Sequence, residues 1–192
     1  RQEVVQYIRN QFRHIARKKS LDVVVEKTCA NTLRIPFVNE VLPHAKFVHL
    51  VRDGRDVAVS ARKRWTGSVD LKYILCKARY VPLADLPYYT IRFLRDRVYR
   101  FWSEENRIAA WGPRFSGMQG ILRNHDLIEA CALQWKYCVE KAASDLSELD
   151  ANRTYRIHYE NFVQRPVENL KQLHDFLDIG SDEGKLEEIT RN

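Results

Sequence analysis

The sequence predicts an α/β domain, a parallel sheet flanked by helices and interrupted by a helical insertion. Three observations carry this: helical and strand-like patterns alternate along the chain, the first strand-like run is short and apolar, and one long aromatic and arginine-rich stretch lies between the strand-like runs. With 192 residues, 45% of them hydrophobic, the chain has enough apolar surface for one compact domain and too much for a disordered segment. A single domain over residues 1–192 is the expectation.

Residues 4–18 place Val4, Val5, Ile8, Phe12, Ile15 and Ala16 at three-and-four spacing with basic residues elsewhere, an amphipathic helix. Residues 21–26 form a short β-branched apolar run without polar alternation, which suits a buried parallel strand. A helix is expected over 31–42, stopped by Pro43, and a second strand over 45–51. Asp56 can cap a helix running to about Trp65. Residues 66–127 read as helices rich in tyrosine, tryptophan and arginine, broken at Pro82, Pro87 and Gly112-Pro113, so 62–127 is expected to be a helical insertion or cap. A long helix over 127–149, a third strand over 155–159 and a helix over 167–177 complete the alternation. No internal repeat and no low-complexity segment interrupts it.

Composition narrows the function. The formal charge is +7, and the basic excess lies in residues 1–127 while 128–192 are net acidic, which suggests an anionic ligand held by the earlier segments. The cations are interleaved through amphipathic patterns and form no single run, which argues against nucleic acid. No apolar stretch is long enough to span a membrane. Cys29, Cys76, Cys131 and Cys138 have neither metal-ligand spacing nor a disulfide framework, so a reducing, cytoplasmic location is expected. Cys131 and Cys138 are separated by a helical rise of about 10 Å, too far for a bridge, and read as core thiols. The six histidines show no metal-ligand grouping, and no metal is expected.

In open α/β sheets ligands bind beyond the carboxyl ends of the strands. Three strand ends therefore matter: Glu26-Lys27-Thr28, Arg52-Asp53-Gly54-Arg55-Asp56 with Ser60 beyond it, and Tyr159-Glu160-Asn161. Arg52 would set a guanidinium across the mouth of the sheet beside a helix N-terminus, where a phosphate gains a bidentate cation and free backbone N–H groups. The residues alone leave a second reading open, in which these charges form a surface ion-pair loop and Ser60 merely packs.

The stretch Phe47-Val48-His49-Leu50-Val51-Arg52-Asp53-Gly54-Arg55-Asp56-Val57-Ala58-Val59-Ser60 resembles the 3′-phosphate-binding motif of sulfotransferases that use 3′-phosphoadenosine 5′-phosphosulfate. Two further stretches agree with it in order. Val25-Glu26-Lys27-Thr28 resembles the segment whose lysine approaches the transferring sulfonate, and Ile157-His158-Tyr159-Glu160-Asn161-Phe162 resembles the strand whose tyrosine contacts the adenine. The resemblance implies a P-loop-like sheet of the sulfotransferase type. It also implies Arg52 and Ser60 as 3′-phosphate ligands, Tyr159 as an adenine contact, Lys27 as the catalytic cation, and the phosphosulfate as donor cosubstrate. A small-molecule or glycan hydroxyl or amine would be the acceptor.

Two departures qualify this. Cytosolic members carry a histidine as general base two residues after the lysine, where this chain has Cys29, so the base has no assignment; Glu3 is a weak candidate. The family's Gly/Ser/Thr-rich phosphosulfate loop does not precede Val4, so the expectation is a piece of a longer protein, truncated at both ends and unable to transfer sulfonate alone at a useful rate. The alternatives are a nucleotide-binding module without catalysis and a P-loop phosphotransferase, for which Asp53 would have to hold magnesium.

Overall fold

The computed structural model describes residues 1–67, 111–180 and 182–190, together with Pro87, Thr90, Ile91, Leu94, Arg95, Val98, Tyr99, Arg107 and Ile108. In chain order these residues form α1 (Gln2–Lys19), α2 (Ile35–Val41), β1 (Phe47–Val51), α3 (Gly54–Thr66), α4 (Met118–Asn124), α5 (Leu127–Ser147), β2 (Thr154–His158), α6 (Tyr159–Gln164), α7 (Pro166–Leu177) and α8 (Glu183–Thr190). The chain divides into two compact units, Arg1–Gly54 with Trp135–Asn192, and Arg55–Gln134. The helices expected across most of the 62–127 insertion, Pro82 and Cys76 included, lie outside the described residues.

In the first unit the amphipathic pattern of the N-terminal segment becomes α1, which buries Val5. The helix ends where Ser20 turns left-handed (φ 49°), and the N–H of Leu21 returns to the carbonyl of Ala16 at 2.9 Å. Arg9 reaches from α1 to the open carbonyls of α2, donating to Val41 O at 2.7 Å and Glu40 O at 2.8 Å. Arg1 pairs with the Glu40 carboxylate on the same side. The expected helix over 31–42 is divided: Cys29–Leu33 is a 3₁₀ turn, and α2 begins afresh with Pro36 in its first turn.

The strand expected over 21–26 is not formed. These residues are neither strand nor helix, and Leu21, Val23 and Val25 are 44%, 44% and 80% exposed. A β-branched run favours extended backbone, but a strand exists only when a neighbour pairs with it, and none of the described residues does.

The other two strands do pair. Among the described residues the sheet consists of β1 and β2, parallel and in register from Phe47↔Thr154 to Val51↔His158, with Val51 and Ile157 buried. Arg153, just before β2, donates to Asn39 Oδ1 (2.8 Å) and Ala45 O (3.0 Å), fixing the start of β2 beside the start of β1. Lys46 donates to Phe176 O and pairs with Asp178, while the Tyr155 ring stacks on Phe176 at 5.2 Å. Together they hold the end of α7 against the beginning of the sheet. From Trp135 onward α5 buries Cys138 and Ala142 in this unit, and α8 buries Leu186.

The second unit has its own core. Ala58, Ala61 and Trp65 of α3, Met118 and Leu122 of α4, and Leu127, Ala130 and Cys131 of α5 form one buried cluster, with Trp65 only 1% exposed. Asp126 caps α5 by accepting the Glu129 N–H at 2.8 Å. Asp56 is in the first turn of α3 instead of capping it, because that helix already begins at Gly54. Buried Gln134 donates to the carbonyls of Trp111 (3.1 Å) and Pro113 (2.8 Å), bracketing Gly112, whose φ of +76° marks the expected turn.

Candidate anion-binding corner

Because β1 and β2 are parallel and Val51 is paired with His158, the residues that follow them leave the sheet side by side. These residues are Arg52 and Tyr159. The Arg52 guanidinium carbon lies 4.5 Å from the Tyr159 ring centroid, a cation–π contact that restrains a long, flexible side chain. Arg52 is half-buried and Tyr159 is 36% exposed, so the pair faces solvent in part.

The backbone beneath the arginine is held as well. Trp135 Nε1–H donates to the carbonyl of Arg52 at 3.1 Å, and the N–H of Asp53 donates to Glu160 Oε1 at 2.8 Å. That second bond is the main reason the Glu160 carboxyl is held below its ordinary value, since a proton on the acceptor would weaken it. The Trp135 ring also lies over Gly54. A Cβ at Gly54 would come within 2.6 to 2.9 Å of three ring carbons, so only glycine fits at this entry to α3.

One face of the sheet leading to this corner carries two histidines and an arginine. Register places His49 opposite Arg156 and Val51 opposite His158, so His49, Arg156 and His158 share a face. Burial is the largest cause of a lowered His49 pKa, and the charges of Arg156 and His158 push it the same way.

A half-buried guanidinium stacked on a ring at the carboxyl end of two parallel strands can take a phosphate or sulfate in bidentate fashion. Of the four residues expected at the site, the structure brings together Arg52 and Tyr159. Lys27 does not end a strand, because the run before it is unpaired; it stands exposed ahead of the Cys29–Leu33 turn. Ser60 is exposed on α3 in the second unit. Sequence reasoning missed Trp135. Its bond to Arg52 spans 83 residues, and a tryptophan in an amphipathic helix reads as core. Glu160 was visible at the strand end, although not as a backbone acceptor.

Among the described residues no group of histidine, cysteine and carboxylate side chains is arranged to hold a metal ion. Cys131 and Cys138 are buried free thiols, as expected, and burial raises the Cys138 pKa, while Cys29 is exposed. No described helix is long and apolar enough to cross a membrane. No curated protein and no solved structure matches the chain. A family model described as "Sulfotransferase family" matches it over residues 1–80 and 89–183.

Proposed function

The chain belongs to the sulfotransferase family, and from that premise we propose that it moves a sulfonate group from 3′-phosphoadenosine 5′-phosphosulfate to a hydroxyl or amine acceptor, with Arg52 receiving the donor's 3′-phosphate. The observation that carries this reading is the Arg52 guanidinium stacked on Tyr159 where β1 and β2 end. Two of the three residues that the family motifs assign to the nucleotide, Arg52 and Tyr159, are in contact, although 107 positions separate them in the chain.

On this reading Tyr159 has two tasks. Arg52 occupies part of its ring, and the exposed remainder offers a surface for adenine. Ser60 would add a hydroxyl donor to the same phosphate, a role that rests on the spacing of the motif alone. The overall fold implied is a P-loop-like parallel sheet to which β1 and β2 belong.

The reaction is an in-line displacement at sulfur. A bond forms from the acceptor oxygen or nitrogen to sulfur, the bond from sulfur to the bridging phosphate oxygen breaks, and adenosine 3′,5′-bisphosphate leaves. Negative charge builds on the bridging oxygen, and Lys27 is the cation proposed to stabilise it. A general base must take the acceptor's proton, and no residue is assigned to that role. The aromatic and cationic composition of 62–127 favours a sugar or anionic glycan as acceptor. Cys29, at the position where cytosolic members have their histidine base, favours the rival reading of a nucleotide-binding module without transfer. Turnover of labelled donor by the whole protein separates the two.

Donor recognition is tested by calorimetry with adenosine 3′,5′-bisphosphate. Arg52→Ala is expected to weaken binding by about 10- to 100-fold, the usual worth of hydrogen bonds to a charged group. Equal affinity of the variant and the parent chain would overturn the assignment.

A further inference from the structure

We propose that Trp135 and Glu160 are positioning residues that aim Arg52 by clamping a single peptide group, an inference that rests on Arg52 being the phosphate ligand. The carbonyl of Arg52 and the N–H of Asp53 belong to the same planar unit. Trp135 holds its oxygen end at 3.1 Å and Glu160 holds its nitrogen end at 2.8 Å. A peptide plane bonded at both ends can no longer swing about the chain axis. That fixes ψ of Arg52 and φ of Asp53, and with them the direction in which the Arg52 side chain departs.

The two partners come from different elements, α5 and the first turn of α6. Glu160 is the immediate neighbour of Tyr159, so one corner of the chain grips Arg52 twice, by its guanidinium and by its peptide. Trp135 completes the hold from another direction, with its ring closed over Gly54. A cation that must meet a phosphate in a fixed bidentate geometry loses affinity when its orientation spreads, even if its charge remains. The clamp thus reduces the ordering left to be done when the anion arrives.

A purely structural role would change stability without changing which ligand is preferred. The informative quantity is therefore the ratio of affinities for adenosine 3′,5′-bisphosphate and adenosine 5′-monophosphate, measured by calorimetry on the full chain. Trp135→Phe keeps a ring over Gly54 but removes the N–H, and Glu160→Ala removes the acceptor; each is expected to lower the ratio by about five- to tenfold, the effect of one lost orienting hydrogen bond. Glu160→Gln retains an acceptor oxygen and is expected to stay within about twofold of the parent. Adding Trp135→Phe to Arg52→Ala is expected to have no further effect on the ratio, because the clamp acts through the arginine.

Unchanged ratios in Trp135→Phe and Glu160→Ala, with Arg52→Ala collapsing the ratio, would overturn the clamp and leave the phosphate assignment standing. A ratio unaffected by Arg52→Ala would instead overturn the assignment, and the clamp's purpose with it. Should a variant fail to fold, the parent chain still answers by NMR: the Asp53 amide and the Trp135 indole N–H are expected to be protected from exchange and to shift with the bisphosphate but not with the monophosphate. Either proton exchanging at the free rate would sink the proposal.

Discussion

The guanidinium of Arg52 sits 4.5 Å from the ring centroid of Tyr159, and each residue directly follows one of two paired strand ends, Val51 and His158. The contact depends on the face of the ring and not on its hydroxyl. Tyr159→Phe is therefore expected to bind adenosine 3′,5′-bisphosphate within about twofold of the parent, whereas Tyr159→Ala weakens it about tenfold, within the range of a partly desolvated cation–π contact. Calorimetry checks both, and an unchanged Kd in Tyr159→Ala would show that the ring neither steadies Arg52 nor meets the nucleotide.

Gly54 makes a prediction about stability. Its missing side chain is the space filled by Trp135, and a methyl group there would lie 2.6, 2.7 and 2.9 Å from three ring carbons. Gly54→Ala is expected to cost about 1–3 kcal/mol through overpacking. In urea the midpoint should fall while the slope stays constant. Trp135→Leu in the same chain should recover part of the loss, and a Gly54→Ala midpoint equal to the parent's would show that the ring does not close on this turn.

Helices α1, α3, α5 and α7 and the two paired strands were legible because their patterns are local. Residues 4–18 repeat at helical spacing, and the strands expected over 45–51 and 155–159 overlap the observed ones. The run at 21–26 is just as β-branched, yet Val25 is 80% exposed and unpaired among the described residues. Residue pattern reports a preference for extended backbone, and pairing depends on what lies alongside. The site shows the same division. Arg52 and Tyr159 could be read because a motif names strand ends, whereas the bond from Trp135 to Arg52 joins positions 83 residues apart and leaves no periodic trace. Lys27 lost its expected setting together with the strand meant to carry it.

In the second unit, Gln134 is a buried amide with a defined task. It is 4% exposed and donates to both Trp111 O and Pro113 O across the Gly112 turn. Gln134→Leu keeps the volume and removes the donor from two carbonyls. The expected loss is about 1–3 kcal/mol, that of two hydrogen bonds at their usual net worth. Chemical denaturation measures it, and a stability within about 0.5 kcal/mol of the parent, the scatter of ordinary surface changes, would mean that the turn does not depend on this bracket.

Acid should destabilise the chain in two pH ranges, and His49 contributes to the first. Its pKa is lowered from 6.5 by burial, then by Arg156 and His158. Between the folded and unfolded values the unfolded chain binds the proton and the folded chain does not, so stability rises with pH across that window. The contribution is complete above the unfolded value and is lost as pH falls from about 6.5 towards the lower folded value. Glu160 has the same sign but acts lower down. Its depressed pKa gives stability that is present above the unfolded carboxyl value of about 4.3 and is lost as pH falls through the folded one. Melting temperatures taken from about pH 8 to 3 should thus show a decline near the histidine range and a second one in the carboxylate range. His49→Gln should reduce the first decline and leave the second, while Glu160→Gln should reduce the second and leave the first. A His49→Gln curve parallel to the parent's through the histidine range would show that burial beside Arg156 does not depress this side chain's pKa.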